Sequence, residues 1–145
     1  MRTDRKAMVA VLKQVCVPAL RAAAFQGAFP HFFRETGGFV ALVTFQFASG
    51  GGSFCVNLGY SAQGWLNRFL KSKTEPAKLR VSQTQDWVRL GAVTGGDHWF
   101  VYASPSDTPY RGAIQPQEDL ATRCTELLMT QAEAWWASKP GAPSR

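Results

Sequence analysis

The chain has little from which to build a metal site or a disulfide framework. It carries three cysteines, an odd count, at Cys16, Cys55 and Cys124. No two of them form a C-x-x-C pair, and the two histidines, His31 and His98, lie at no metal-ligand spacing from them. The expectation is no metal, no cofactor, and reduced thiols in a cytoplasm. Long apolar runs are lacking too. Arg2, Arg5 and Lys6 resemble the basic start of a signal segment, but Asp4, Lys13 and Arg21 break any apolar stretch behind them. No window approaches the roughly 18 apolar residues of a membrane span. Catalytic signatures are also missing: there is no G-x-S-x-G elbow, no dinucleotide fingerprint and no phosphate loop. The Gly50-Gly51-Gly52 run lacks the Lys-Ser/Thr pair that would hold a phosphate.

What is present is an ordinary globular composition, 46% hydrophobic and 18% charged, which sets the chain apart from disordered sequences. Its 145 residues suit a single domain, expected over 1–138, with a disordered Pro- and Gly-bearing tail over 139–145. Aromatics are plentiful: ten Phe, five Trp and three Tyr promise a core rich in rings, with room for an exposed Trp at a binding surface. The net charge of +6 admits an anionic partner. The one dense basic run holds Arg68, Lys71, Lys73, Lys78 and Arg80 against a single Glu75. A solvated loop explains such a run, and anion or nucleic-acid binding is its functional reading.

Apolar spacing predicts a helix from Asp4 to Ala24 with Met8, Leu12 and Val15 on one stripe, broken near Val17 by Pro18 and terminated near Gly27. A strand is predicted over 29–35. A long strand follows over Phe39–Phe47, with Phe39, Ala41, Val43, Phe45 and Phe47 facing the core. The glycines at 50–52 turn the chain into a partner strand over Phe54–Tyr60. Further strands are expected over Gln83–Leu90 and Trp99–Tyr102. A closing helix over Gln117–Ser138 is expected to bury Leu120, Cys124, Leu127, Leu128, Gln131 and Trp135. The fold class is α+β: a mostly antiparallel sheet of about four to five strands flanked by an N-terminal and a C-terminal helix.

The less apolar face of the central hairpin gathers Thr44, Gln46, Ser53, Cys55 and Asn57. Pairing with the Gln83–Leu90 strand would add Arg89 beside Gln46 and Asn57. Amides and a guanidinium satisfy one another within a covered sheet, which makes a structural network one reading. A recognition patch for an anionic or amide-bearing ligand, with Arg89 as bidentate donor, is the other. A Cys–His hydrolase would need Cys55 near His31 or His98, and Cys55 more often simply packs. Asp97 is expected to cap a turn rather than to set the tautomer of His98. Arg34-Glu35 reads as a surface or cross-strand ion pair.

The pieces P-A-L-R-A-A-A-F-Q-G (18–27), F-F-R-E (32–35), F-Q (45–46), S-F-C-V-N-L-G (53–59), V-R-L-G (88–91) and D-H-W-F (97–100) occur in an order that resembles a bacterial family of small proteins described only as a domain of unknown function. The resemblance spans roughly three fifths of the chain and implies an α+β fold and a bacterial cytosolic setting. It brings no activity, cofactor or catalytic residues. The basic segment 68–80 does not match the pattern.

The functional expectation is therefore a non-enzymatic module that binds another protein, immunity-like by analogy of size and setting, through Thr44, Gln46, Cys55, Asn57 and Arg89. The alternative is a small hydrolase acting on an anionic substrate, with Arg89 binding charge and Cys55 or His98 reacting. A third reading is a nucleic-acid-associated protein using Arg68 to Arg80.

Overall fold

The computed structural model describes residues 2–36, 38–62, 78–93, 95–104 and 112–139. Helix α1 (Arg2–Ala22) is followed by strands β1 (Gln26–Ala28), β2 (His31–Thr36), β3 (Phe39–Phe47) and β4 (Ser53–Ala62). A 3₁₀ turn (Val81–Gln83) leads to β5 (Asp86–Arg89) and the short β6 (Phe100–Val101). Helix α2 (Gln117–Leu127) then runs through a π-helical turn (Leu128–Ala132) into α3 (Glu133–Ala137). The architecture is α+β, as the apolar periodicities predict.

All strand pairs are antiparallel, in the order β1-β2-β3-β4-β5, and β6 also pairs with β4. Strand β4 thus has β3 along one edge and two partners on the other: β5 against Asn57–Tyr60 and β6 against Ser53–Phe54. Enclosure on both edges and both faces explains why every residue from Ser53 to Ser61 is buried. The hairpin of β3 and β4 has the expected core face, with Gly51 and Gly52 at φ +86° and +82° supplying the reversal.

One sheet face, built on Phe39, Ala41, Val43, Phe45, Phe54, Val56, Leu58 and Tyr60, packs against Met8, Leu12, Cys16 and Leu20 of α1 and Leu120, Ala121 and Cys124 of α2. The opposite face is apolar only at one end. There Val40 and Leu42 meet Leu79 and Val81 in a separate small cluster.

Five expectations need correction. Helix α1 continues through Pro18, whose ring and the Gln14 carbonyl side both face solvent, so the lost hydrogen bond is not a buried one. Its terminator is Ala24 rather than Gly27. Ala24 takes φ +73°, and Phe25 and Ala24 donate to the carbonyls of Leu20 and Arg21 at 2.9 and 3.0 Å, the paired bonds of a Schellman cap. Gly27 instead lies in β1, a strand the sequence did not signal, where an added Cβ would meet the His31 carbonyl at 2.6 Å. Phe29 and Pro30 form the turn before β2 rather than part of a strand. Strand β5 covers only the second half of the predicted 83–90 segment, because Thr84 turns its hydroxyl back to the Val81 carbonyl.

The fifth correction concerns the closing helix. An uninterrupted α-helix would place Gln131 and Trp135 inward and Ala132 and Trp136 outward. The π turn adds one residue, which rotates everything after it by about 100°. Ala132 and Trp136 therefore turn inward, while Trp135 stays buried as expected, and the Trp136 indole donates to the Gly59 carbonyl at 2.9 Å. Gln131, half-buried, instead accepts from the Gly91 amide at 2.6 Å.

Candidate functional site

Antiparallel register places His31, Thr44, Asn57 and Arg89 opposite one another on β2, β3, β4 and β5. They form one row across four strands, and side chains in such a row share a face. Gln46 and Cys55, two residues along on β3 and β4, pair with each other on the same face. The structure thus brings together Thr44, Gln46, Cys55, Asn57 and Arg89, the five residues singled out on the hairpin and its neighbour.

Their contacts form one separate pair and one chain. His31 Nδ1 and Thr44 Oγ1 share a hydrogen bond of 3.2 Å. Asn57 Nδ2 donates to Gln46 Oε1 at 2.9 Å, and Arg89 Nε donates to Asn57 Oδ1 at 2.7 Å. Arg89 Nη1 continues to the carboxylate of Asp97, which also accepts from the Trp99 indole at 2.9 Å and from the His98 backbone amide at 3.0 Å. The carboxylate of Asp97 binds the backbone of His98, in line with the turn-capping role. Burial alone would raise the Asp97 carboxyl, but the Trp99 hydrogen bond and the Arg89 charge hold it below its ordinary value.

The Arg89 guanidinium lies near two indoles, 5.1 Å from the Trp99 ring centre and 5.9 Å from that of Trp87. Trp87 is the site residue that sequence reasoning did not single out. Alternation along β5 places it on the face of Arg89, and it is 48% exposed in a protein that buries most of its rings. Trp87 and Arg89 line a pocket of about 370 Å³ together with Thr44, Gln46, Asn57, Arg80, Val81 and Ser82. They also line a second hollow of about 280 Å³, walled by Ala92, Gly95, Gly96 and Asp97. Burial and the positive charge of Arg80 lower the proton affinity of His31 at the end of the row.

Cys55 is fully buried, with Sγ 4.0 Å from Asn57 Oδ1. His98 stands edge-on to Phe100, ring centres 4.9 Å apart, and packs against Gly91. Of the described part of the basic run, Lys78 and Arg80 are exposed, and Arg80 reaches the pocket. Arg68, Lys71 and Lys73 lie outside the described residues, as do 140–145 of the expected tail. Arg34 pairs with Glu133, not with its neighbour Glu35. The distant cysteines Cys16 and Cys124 meet between α1 and α2, and all three thiols of the chain are buried and outside any disulfide. Among the described residues no three His, Cys, Asp or Glu side chains gather as a metal site, and no helix is long and apolar enough to cross a membrane.

A family described as a domain of unknown function (DUF4304) matches residues 16–138, which include every residue of this site. The chain belongs to the DUF4304 family. No curated protein and no solved structure gives a significant match. The family match contains α1 from Cys16 onward, the whole sheet and the closing helices, so the polar row and its two tryptophans are part of the DUF4304 domain itself.

Proposed function

We propose that this DUF4304 protein is a non-enzymatic binding module that engages another protein through the polar face of β3–β5, with Trp87 as the anchor. The observation that carries the reading is the half-exposed Trp87 beside a guanidinium held in place by Asn57 and Asp97. Interfaces concentrate their energy in Trp and Arg side chains whose orientation is set before the partner arrives. The chemistry of the face supports binding rather than turnover: its groups are amides, hydroxyls and a guanidinium, and the Cys55 thiol is sealed beneath them. Neutralising a protein toxin in a bacterial cytoplasm is one task for a module of this size.

The test is affinity capture of tagged protein from its native lysate, with nuclease and a high-salt wash, comparing wild type and Trp87→Ala. A stoichiometric protein retained by wild type and lost from a Trp87→Ala variant of unchanged Tm is the expected result. An empty capture, or one indifferent to Trp87→Ala, overturns the reading. Nucleic acid captured alone and released by salt would move the basic segment to the front.

A further inference from the structure

We infer that the outer edge of β5 pairs with the same edge of a second copy of this chain, joining two sheets across a two-fold axis at Trp87. The inference goes beyond the proposed function and does not require it. It starts from the backbone groups that β5 has left to offer. The Leu90 amide donates to the Val56 carbonyl at 2.8 Å, and these two residues lie opposite one another when the β4–β5 register is carried one residue on. Bonded and non-bonded pairs alternate in an antiparallel ladder, so Val88 and Asp86 turn their backbone groups toward β4. Trp87 and Arg89 turn theirs outward. The Arg89 carbonyl is spent on the Ala92 amide at 2.9 Å. The Trp87 N–H and C=O and the Arg89 N–H have no backbone partner among the described residues.

The other two outer strands are blunted. Strand β1 is three residues long, with Gly27 at φ +102° and its carbonyl taken by Arg21 at 2.5 Å. Strand β6 gives the Val101 carbonyl to the Gln115 amide at 3.0 Å. Edges that stay solitary usually carry a lysine, a proline or a bulge. The sequence of β5, Asp86-Trp87-Val88-Arg89, has none of these, and both its charges are already paired, Asp86 with Lys139 and Arg89 with Asp97. There is also room beside it. The smaller hollow touches Trp87, Val88 and Arg89 in succession. Val88 points to the other face of the sheet from its two neighbours, so a hollow that touches all three lies along the edge. Its wall includes Gly95 and Gly96, where even an added Cβ would meet nothing within 4 Å.

Self-complementarity names the occupant. Trp87 presents a donor and an acceptor at one position, so on a two-fold axis each copy satisfies the other. At the flanking pair, Arg89 falls opposite Gln85 of the second copy. The Arg89 carbonyl and the Gln85 amide, which binds Ser61 Oγ at 2.9 Å, are already used, and the donor and acceptor that remain meet each other. Asp86 falls opposite Val88 of the second copy, so no like charges meet. The two Trp87 rings, each 48% exposed alone, stand side by side on one face and cover each other. The polar faces of the two copies become one continuous surface.

Sedimentation of the full chain from micromolar to millimolar concentration, with amide exchange followed by NMR, tests this. The expected result is a monomer–dimer equilibrium. In the dimer the Trp87 and Arg89 amides exchange at least about tenfold more slowly, while that of Val88, bonded to β4 in both states, changes little. Trp87→Lys sets two ammonium groups opposite one another and should weaken the dimer at least about tenfold, with the fold, read by circular dichroism, intact. A chain that stays monomeric at millimolar concentration, a dimer whose Trp87 and Arg89 amides stay unprotected, or a folded Trp87→Lys that dimerises like wild type overturns the inference. Protection of those amides only when a captured protein is bound gives the edge to a foreign strand and overturns it too. A dimer that captures no partner leaves this assignment standing and removes the protein-binding reading. Trp87-dependent capture by a chain that stays monomeric does the reverse.

Discussion

Arg34 on β2 and Glu133 on α3, 99 positions apart in the chain, are joined by two parallel hydrogen bonds of 2.8 and 2.7 Å. The same guanidinium donates to the Ala23 carbonyl at 3.1 Å and lies 4.5 Å from the Phe25 ring centre and 5.4 Å from that of Trp136. One side chain thus ties the end of α1, the second strand and the closing helix. Arg34→Ala is expected to cost about 2–4 kcal/mol, since it strands a partly buried carboxylate. Arg34→Lys should recover little, because an ammonium cannot reproduce the fork or the stacking. Urea denaturation of the two variants and of Glu133→Gln checks this, and a Lys variant as stable as wild type would contradict it.

Gly91 and His98 form a close contact of a different kind. Gly91 has φ +94°, and a Cβ there would lie 2.5 Å from the His98 ring. Gly91→Ala therefore meets both backbone strain and a clash, together about 2–3 kcal/mol. The double variant Gly91→Ala/His98→Ala removes the clash and keeps the strain. It should recover part of the loss relative to His98→Ala alone, which thermal unfolding of the four proteins will measure.

Both histidines make stability depend on pH in one direction. Burial, followed by Arg80, lowers the pKa of His31 from its ordinary 6.5; burial, followed by Arg123, lowers that of His98 against the opposing charge of Asp97. A lowered pKa means the unfolded chain takes up the proton first, so stability is highest above 6.5 and falls as pH drops through the folded values. The depressed carboxyl of Asp97 acts in the same sense in a lower window, beginning below 3.8. Denaturation midpoints at pH 7.5 and about 5 should differ, and His31→Gln or His98→Asn should flatten the difference. A pH-independent midpoint in that range would refute it.

The thiols should be silent in the folded state. Cys16, Cys55 and Cys124 are all fully buried. Cys16 has its pKa lowered by a hydrogen bond with Cys124, while that bond together with burial pushes Cys124 up. Thr125 also donates to Cys16 Sγ, at 3.1 Å. Because a reagent must reach a thiolate, a small aromatic disulfide is expected to label no cysteine at the native rate of an exposed thiol, and all three after unfolding. Rapid labelling of Cys16 or Cys124 in the folded protein would reveal a local opening of the α1–α2 contact.

Much of the fold was legible because its signals are local. Alternation along Phe39–Phe47 and Phe54–Tyr60, with glycines between, specifies a hairpin and its core face without reference to the rest of the chain. The apolar stripe of α1 is readable for the same reason. The candidate site was legible in its residues, since Thr44, Gln46, Cys55 and Asn57 follow from that alternation, but Trp87 was not. An aromatic on a strand reads as core until the sheet shows which of its faces is covered.

By itself, then, the sequence determined the α+β class, the central hairpin and the polar character of its outer face, because each depends on residues within a few positions of one another. Tertiary structure alone decided that β4 shares its second edge between β5 and β6, and that His31, Thr44, Asn57 and Arg89 fall in one row. It also decided that Arg34 meets Glu133, that Cys16 meets Cys124, and that a π turn swings Trp136 inward. Each of these is a matter of register between distant segments, set by how two surfaces interlock, and no short-range periodicity carries that information.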